Sequence, residues 1–244
     1  MLDRRQVIAC LGLGGSGALA EPAPPAQIPP LSAATTGSGV APGWRHQTLP
    51  TVDRSNQFAI VAVEGQRVLR IRSSASASPW VAPLDIDTAR RPWLHWRWRV
   101  SHSLRGSDLR SRGGDDYAAR LYVFFDLPAE RLSLSDRMRI HATRLLSGAD
   151  MPAAALCYVW GRAQAVGSSA WNPYTDRVRM VVVDSGDALA MHWRANARDV
   201  LRDWTEAFGG AVPRVSGVAV SADTDDTGDS VQAWFGDPRF AQSP

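Results

Sequence analysis

Trp93–Val100, WLHWRWRV, alternates apolar and polar side chains without a break. Leu94, Trp96, Trp98 and Val100 fall on one side of an extended chain and His95, Arg97 and Arg99 on the other, the period of two that marks a β-strand. One face is core and the other is cationic. The arginines either meet solvent and the carboxylates of neighbouring strands or hold a ligand, and the pattern leaves both open. Outward from this stretch the same period recurs. Phe58–Val63 and Val68–Arg72 flank Glu64 and Gly65, a hairpin signature. Trp80–Ile86 reads as a short strand, and Ala119–Asp126, ARLYVFFD, sets Leu121, Val123 and Phe125 opposite Arg120, Tyr122 and Phe124. Strands follow at Ala155–Trp160 and Arg177–Asp184, separated by the loop SSAWNPYTD with a turn at Asn172 and Pro173. Two further apolar runs between Val215 and Phe240 enclose Asp223–Asp229, DTDDTGD, the densest charge cluster in the chain, read as the tip of a hairpin. Helical spacing occurs twice, in Ser135–Leu146 and in Ala197–Phe208, the latter with Asn196 as cap and Gly209 and Gly210 as stop. Strands that do not alternate with helices predict an all-β fold: a two-sheet β-sandwich, jelly-roll-like, with two short peripheral helices.

The 244 residues leave room for one such domain after a leader. Residues 1–20 carry Arg4 and Arg5, an apolar Gly-rich run and a terminal Ala18-Leu19-Ala20, a signal peptide of the twin-arginine kind that predicts a periplasmic or secreted protein. Too little apolar chain precedes Cys10 for a lipoprotein signal. Residues 21–43, rich in Pro, Ala and Gly, read as a linker. Residues 44–244 are the folded domain. Nothing later approaches the length of a membrane span. The formal net charge of +3 is too small to point to nucleic acid. Every basic side chain is Arg, which excludes Schiff-base and P-loop chemistry because both require lysine. With Cys10 in the leader, Cys157 is a lone thiol, and its apolar surroundings predict an inert, buried side chain.

GGDDYAARLYVFF, ALCYVWG, NPYTDRVRMVVVDSG, the RDV and AFG of ARDVLRDWTEAFG, and DTDDTGDSVQAWFGD occur in that order between Trp44 and Phe240. Together they resemble a bacterial exported family catalogued as domain of unknown function 3047. The resemblance implies one domain and export, and it brings no activity, substrate or catalytic residues. Cys157 stands where the family pattern has a polar amide, and Pro238 where it has Ile.

Candidate sites gather around the acidic stretch. Asp223, Asp225 and Thr227 spell the nucleophile motif of haloacid-dehalogenase-like phosphatases, but those enzymes need a lysine and a long α/β domain, and only 17 residues follow Thr227. The same stretch also matches the start of a calcium loop, with Trp234 where the bidentate Glu belongs. An EF-hand is thereby excluded. A single Ca²⁺ held by Asp223, Asp225, Thr227 and Asp229 stands beside the simpler reading, a tight turn whose carboxylates accept local N–H groups. Paired carboxylates would suit a glycan hydrolase, with Asp116 and Asp225 the catalytic candidates. The five His are scattered without metal-ligand spacing, and no G-x-S-x-G anchors a triad. The aromatic inventory, with Arg and Asp nearby, suits a carbohydrate or other polyhydroxylated cell-envelope ligand bound without catalysis. The candidate ligand residues are Asp116, Arg120, Tyr122, Tyr158, Trp171, Tyr174, Asp223 and Asp225.

Overall fold

The computed structural model describes residues 25–49, 52–127 and 154–244. They form a sandwich of two sheets. The seven-stranded sheet contains β1 (Arg45–His46), β4 (Trp80–Ile86), β11 (Val215–Ser221), β6 (Arg120–Phe125), β7 (Ala154–Gly161), β9 (Thr175–Ser185) and β8 (Ser169–Asn172), in that spatial order. The six-stranded sheet runs β10 (Arg194–Asp199), β5 (Trp93–Val100), β12 (Ser230–Phe235), β3 (Gln66–Ser74), β2 (Gln57–Val63), and β13 (Arg239–Ala241) also pairs with β5. Pairing is antiparallel except between β7 and β9. The hairpin read at Glu64 and Gly65 joins β2 to β3, and both residues have positive φ (52° and 75°), as a two-residue turn that follows strand twist requires.

The inner faces meet in one core. Leu94, Trp96, Trp98 and Val100 of β5 face Leu121, Val123 and Phe125 of β6 and Tyr158 and Trp160 of β7. Trp96 stacks on Tyr158 at 5.1 Å between centroids. The indole of Trp98 donates to the buried Asp184 carboxylate at 2.7 Å, so the polar edge of this ring is satisfied inside the core. A second, smaller cluster lies on the outer face of the seven-stranded sheet and holds Cys157, Val159, Met180, Val182, Tyr117 and Leu109. β7 is consequently buried along its whole length.

Four features depart from the sequence reading. The helix α1 spans Val200–Phe208, and Asp199 caps it by accepting from the Arg202 N–H at 3.0 Å. Ala197–Asp199 belong instead to β10, whose pairing with β5 outweighs local helix propensity. Asn196, expected as the cap, donates to Asp184 at 2.9 Å. The other expected helix, Ser135–Leu146, lies outside the described residues, as does the leader. Part of the loop before Arg177 is a strand, β8, which returns on β9 through Pro173 and Tyr174. Residues 25–43, read as linker, lie on the sandwich, with Ile28, Leu31, Ala34 and Ala41 in the core and Gly37 bridged to Ile60. Lastly, β11 and β12 belong to different sheets, so the acidic stretch is a crossing between sheets and not a hairpin tip.

Candidate functional site

The acidic crossing loop is tied down by Asp116, which is fully buried. Its Oδ2 accepts from the backbone N–H and the hydroxyl of Thr227, both at 2.7 Å, and its Oδ1 from the Asp226 N–H at 3.4 Å. Next to it, Arg120 is buried between two carboxylates. Asp223 Oδ2 lies 2.6 Å from Nε and Asp115 Oδ1 lies 3.1 Å from one terminal nitrogen. One guanidinium thus joins the two acids. The second terminal nitrogen donates to the Tyr122 phenol at 3.2 Å, and the Tyr117 ring covers the guanidinium at 4.7 Å. Asn172 donates to the remaining oxygen of Asp115 at 2.6 Å, and Ser221 to that of Asp223 at 2.6 Å. A buried charge is tolerated only when paired, and Arg120 is paired with both carboxylates and donates from its terminal nitrogens to Asp115 and Tyr122. Its Nε meets Asp223 as an ion pair outside hydrogen-bond geometry, and the Tyr117 hydroxyl has no hydrogen-bond partner among the described residues.

Burial pushes the Asp223 carboxyl up to about 6, against the pull of Arg120 and Ser221. Burial and the nearby Asp116 charge also raise Asp225 and Asp226. Burial pushes the Cys157 thiol up to about 12, so it is no nucleophile.

The structure brings together Asp116, Arg120, Tyr122, Asp223 and Asp225. Tyr174 joins them at the rim, its phenol 3.2 Å from Asp226 and from the Arg112 carbonyl. It does not bring Tyr158 or Trp171. Tyr158 points into the core and donates to Asp203 at 2.7 Å. Trp171 lies on the opposite face of β8 from Asn172, in edge contact with Phe208 of α1 at 5.2 Å. Three of the four oxygen donors considered for calcium have other partners, and the fourth lies at the surface. Asp223 meets Arg120 and Ser221, Thr227 donates to Asp116, Asp229 accepts from the Ser230 N–H at 2.7 Å, and Asp225 is exposed. Among the described residues, no group of three or more His, Cys, Asp and Glu is gathered for a metal.

A second site lies at one end of the six-stranded sheet. It is an open cleft of about 760 Å³ beside the row formed by Gln57, Arg72 and Gln232, which sit opposite one another on β2, β3 and β12. Arg54, Ser55, Ser74, Ser101 and His102 complete most of its wall, and among the described residues no Asp or Glu lines it. No local sign of this cleft is present in the sequence, because its side chains are ordinary members of a polar strand face and of Ser-rich loops. Only Arg97 and Arg99, on the same sheet, had drawn attention. Arg120 belongs to the other sheet.

Residues 42–239 match the model of a family described as Protein of unknown function (DUF3047). The chain belongs to this family. The stretches from GGDDYAARLYVFF to DTDDTGDSVQAWFGD lie within the matched segment, and the buried Ile28 and Leu31 precede it. No curated protein matches the chain. Several solved structures of low identity do. The family 30 carbohydrate-binding module of a Clostridium thermocellum cellulosomal cellulase is 12% identical, with 90% of this chain and 95% of that chain covered and a TM-score of 0.38. The xyloglucanase domain of NopAA from Sinorhizobium fredii, in complex with cellobiose, is 10% identical over 86% and 99%, with a TM-score of 0.44. Trichoderma harzianum endoglucanase 3 of family GH12 is 8% identical over 84% and 93%, with a TM-score of 0.42.

Proposed function

We propose that this DUF3047 protein binds a carbohydrate or similar polyhydroxylated cell-envelope ligand in the cleft at the end of the six-stranded sheet, without catalysis. The observation that carries this reading is the chemistry of the cleft wall. Ser hydroxyls and Gln amides both donate and accept hydrogen bonds, as sugar hydroxyls require, and the Arg54 and Arg72 guanidiniums add donors. The volume falls within the range of about 300–1,000 Å³ usual for ligand sites. Glycoside hydrolysis needs two carboxyl groups flanking the scissile bond, about 5–9.5 Å apart, and among the described residues the cleft wall has none. The leader read at residues 1–20 supports a periplasmic or secreted location for such a ligand. Among the described residues, no helix is long and apolar enough to cross a membrane.

Hydrolysis is the second reading, and one observation favours it. Asp223, held at about 6, sits across Arg120 from Asp115, and a glycoside hydrolase needs one carboxyl raised toward neutrality with a second carboxyl beside it. A glycan array followed by product analysis separates the two. Retention of a glycan with no new reducing ends, weakened by Gln232→Ala and unaffected by Asp223→Asn, is the expected result. Release of product that stops in Asp223→Asn replaces binding with hydrolysis, and no retention of any glycan overturns both.

A further inference from the structure

One register step from the cleft, the outer face of the six-stranded sheet carries a row in which cations and aromatic rings alternate. Pairing of β3, β12 and β5 sets Arg70 opposite Trp234 and Trp234 opposite Arg99. The Arg99 guanidinium lies 4.5 Å from the Trp234 ring centre and 5.4 Å from that of Trp193, just before β10, so it is flanked by two indoles. Arg97 lies 4.7 Å from the same Trp193 ring. Gly236 makes this possible, since a Cβ there would fall 2.5 Å from Arg97 Nε. The indole faces are occupied by guanidiniums. The row is therefore built to hold cations in fixed orientation and not to stack on sugar rings.

The charge of the row is not matched from within. Among the described residues, the one ion pair made by Arg70, Arg72, Arg97 and Arg99 is that of Arg99 with Glu64, at 3.7 Å and with the Glu64 side chain 67% exposed. Arg97 meets the neutral Gln66, Arg72 makes a 3.4 Å contact to the neutral Gln232, and the Nε atoms of Arg70 and Arg99 are buried without a hydrogen-bond partner. Burial and the charge of Arg72 both press the Arg70 guanidinium down. Four cations gathered, partly desolvated and sharing a single exposed carboxylate are completed by an external anion, and the planar fork of Arg fits a carboxylate. Arg72 belongs both to this face and to the cleft wall, so a ligand in the cleft lies against the row.

We infer that the ligand is an acidic glycan, a uronate-bearing polysaccharide, whose carboxylates pair with the Arg row while its hydroxyls occupy the cleft. This inference rests on the carbohydrate reading above and names its substrate class. The test is titration of the full chain with polygalacturonate, with the same polymer methyl-esterified, with a neutral cello-oligosaccharide and with single-stranded DNA, at low and high salt. Polygalacturonate is expected to bind, and to bind about tenfold more weakly once esterified or in Arg99→Gln, the effect of losing one hydrogen bond to a charged group. High salt should weaken it. Arg72→Gln, at an exposed position, should weaken it similarly and serves if Arg99→Gln lowers the melting point. Equal binding of neutral and acidic glycans, unchanged in both variants, overturns the acidic class and leaves carbohydrate binding standing. DNA binding that exceeds polygalacturonate binding also overturns the inference. Absence of binding to any glycan overturns it together with the carbohydrate reading.

Discussion

Asp223 shows how one buried side chain ties the protein's stability to pH. Its carboxyl titrates at about 6 in the folded state against an ordinary 3.8, so the folded chain holds the proton more tightly than the unfolded chain. That contribution to stability is complete below about pH 4 and is lost as pH rises through about 6. The difference in unfolding free energy between wild type and Asp223→Asn, measured by urea melts, is expected to fall across this window by at most about 3 kcal/mol. A difference that stays level with pH overturns the assignment. Other residues were legible to differing degrees. Cys157 is inert and buried, as its apolar neighbours indicated. Tyr158 was a candidate for ligand contact because a strand covered on both faces shows no alternation, and without alternation the direction of a side chain is not written in the chain. Trp171 was a candidate because its stretch reads as a loop, whereas it belongs to the edge strand β8. Trp193 gave no signal at all, since it precedes a strand that the local sequence did not disclose.

At the scale of elements, the crossing loop between β11 and β12 is the instructive case. Two apolar runs around a polar loop describe a hairpin and a sheet-to-sheet crossing equally well. The choice is made by Asp116, a hundred residues earlier, which accepts from Thr227 and Asp226, and by Thr224, whose hydroxyl meets Ser73 at 2.7 Å. Those partners also bear on calcium. With Asp223, Thr227 and Asp229 engaged by protein groups, EDTA is expected to leave the melting midpoint unchanged, and a fall that added Ca²⁺ restores would show that an ion rearranges the loop. The short helix gives a parallel lesson. Val200, Trp204 and Phe208 were readable at helical spacing, and Trp204 stacks on Phe208 at 4.3 Å. Its start was misplaced because the residues before it complete a ladder with β5.

For the whole molecule, the segment before Trp44 matters more than its composition suggests. Ile28 and Leu31 are buried, Trp44 donates to the Pro29 carbonyl at 2.9 Å, and Ser32 meets Asp237 at the far end of the chain. A chain beginning at Trp44 is expected to lose about 3–6 kcal/mol from the two exposed cavities alone, taking about 1.5–3 kcal/mol per buried side chain as an upper range. A lowered urea midpoint checks this, and an unchanged midpoint would return the segment to the role of linker. The sequence by itself determined the long apolar strands, their inward faces, the β2–β3 turn and the family, and left β8 and β10 undisclosed. Each of these depends on neighbours within a few residues, where the period of the chain and the φ tolerance of glycine act directly. Only the tertiary structure decided which strands share a sheet, that Arg120 lies between Asp115 and Asp223, and that Arg70, Trp234, Arg99 and Trp193 form one row. Those arrangements come from pairings between distant segments, and a pattern of alternation is the same whichever partner a strand finds.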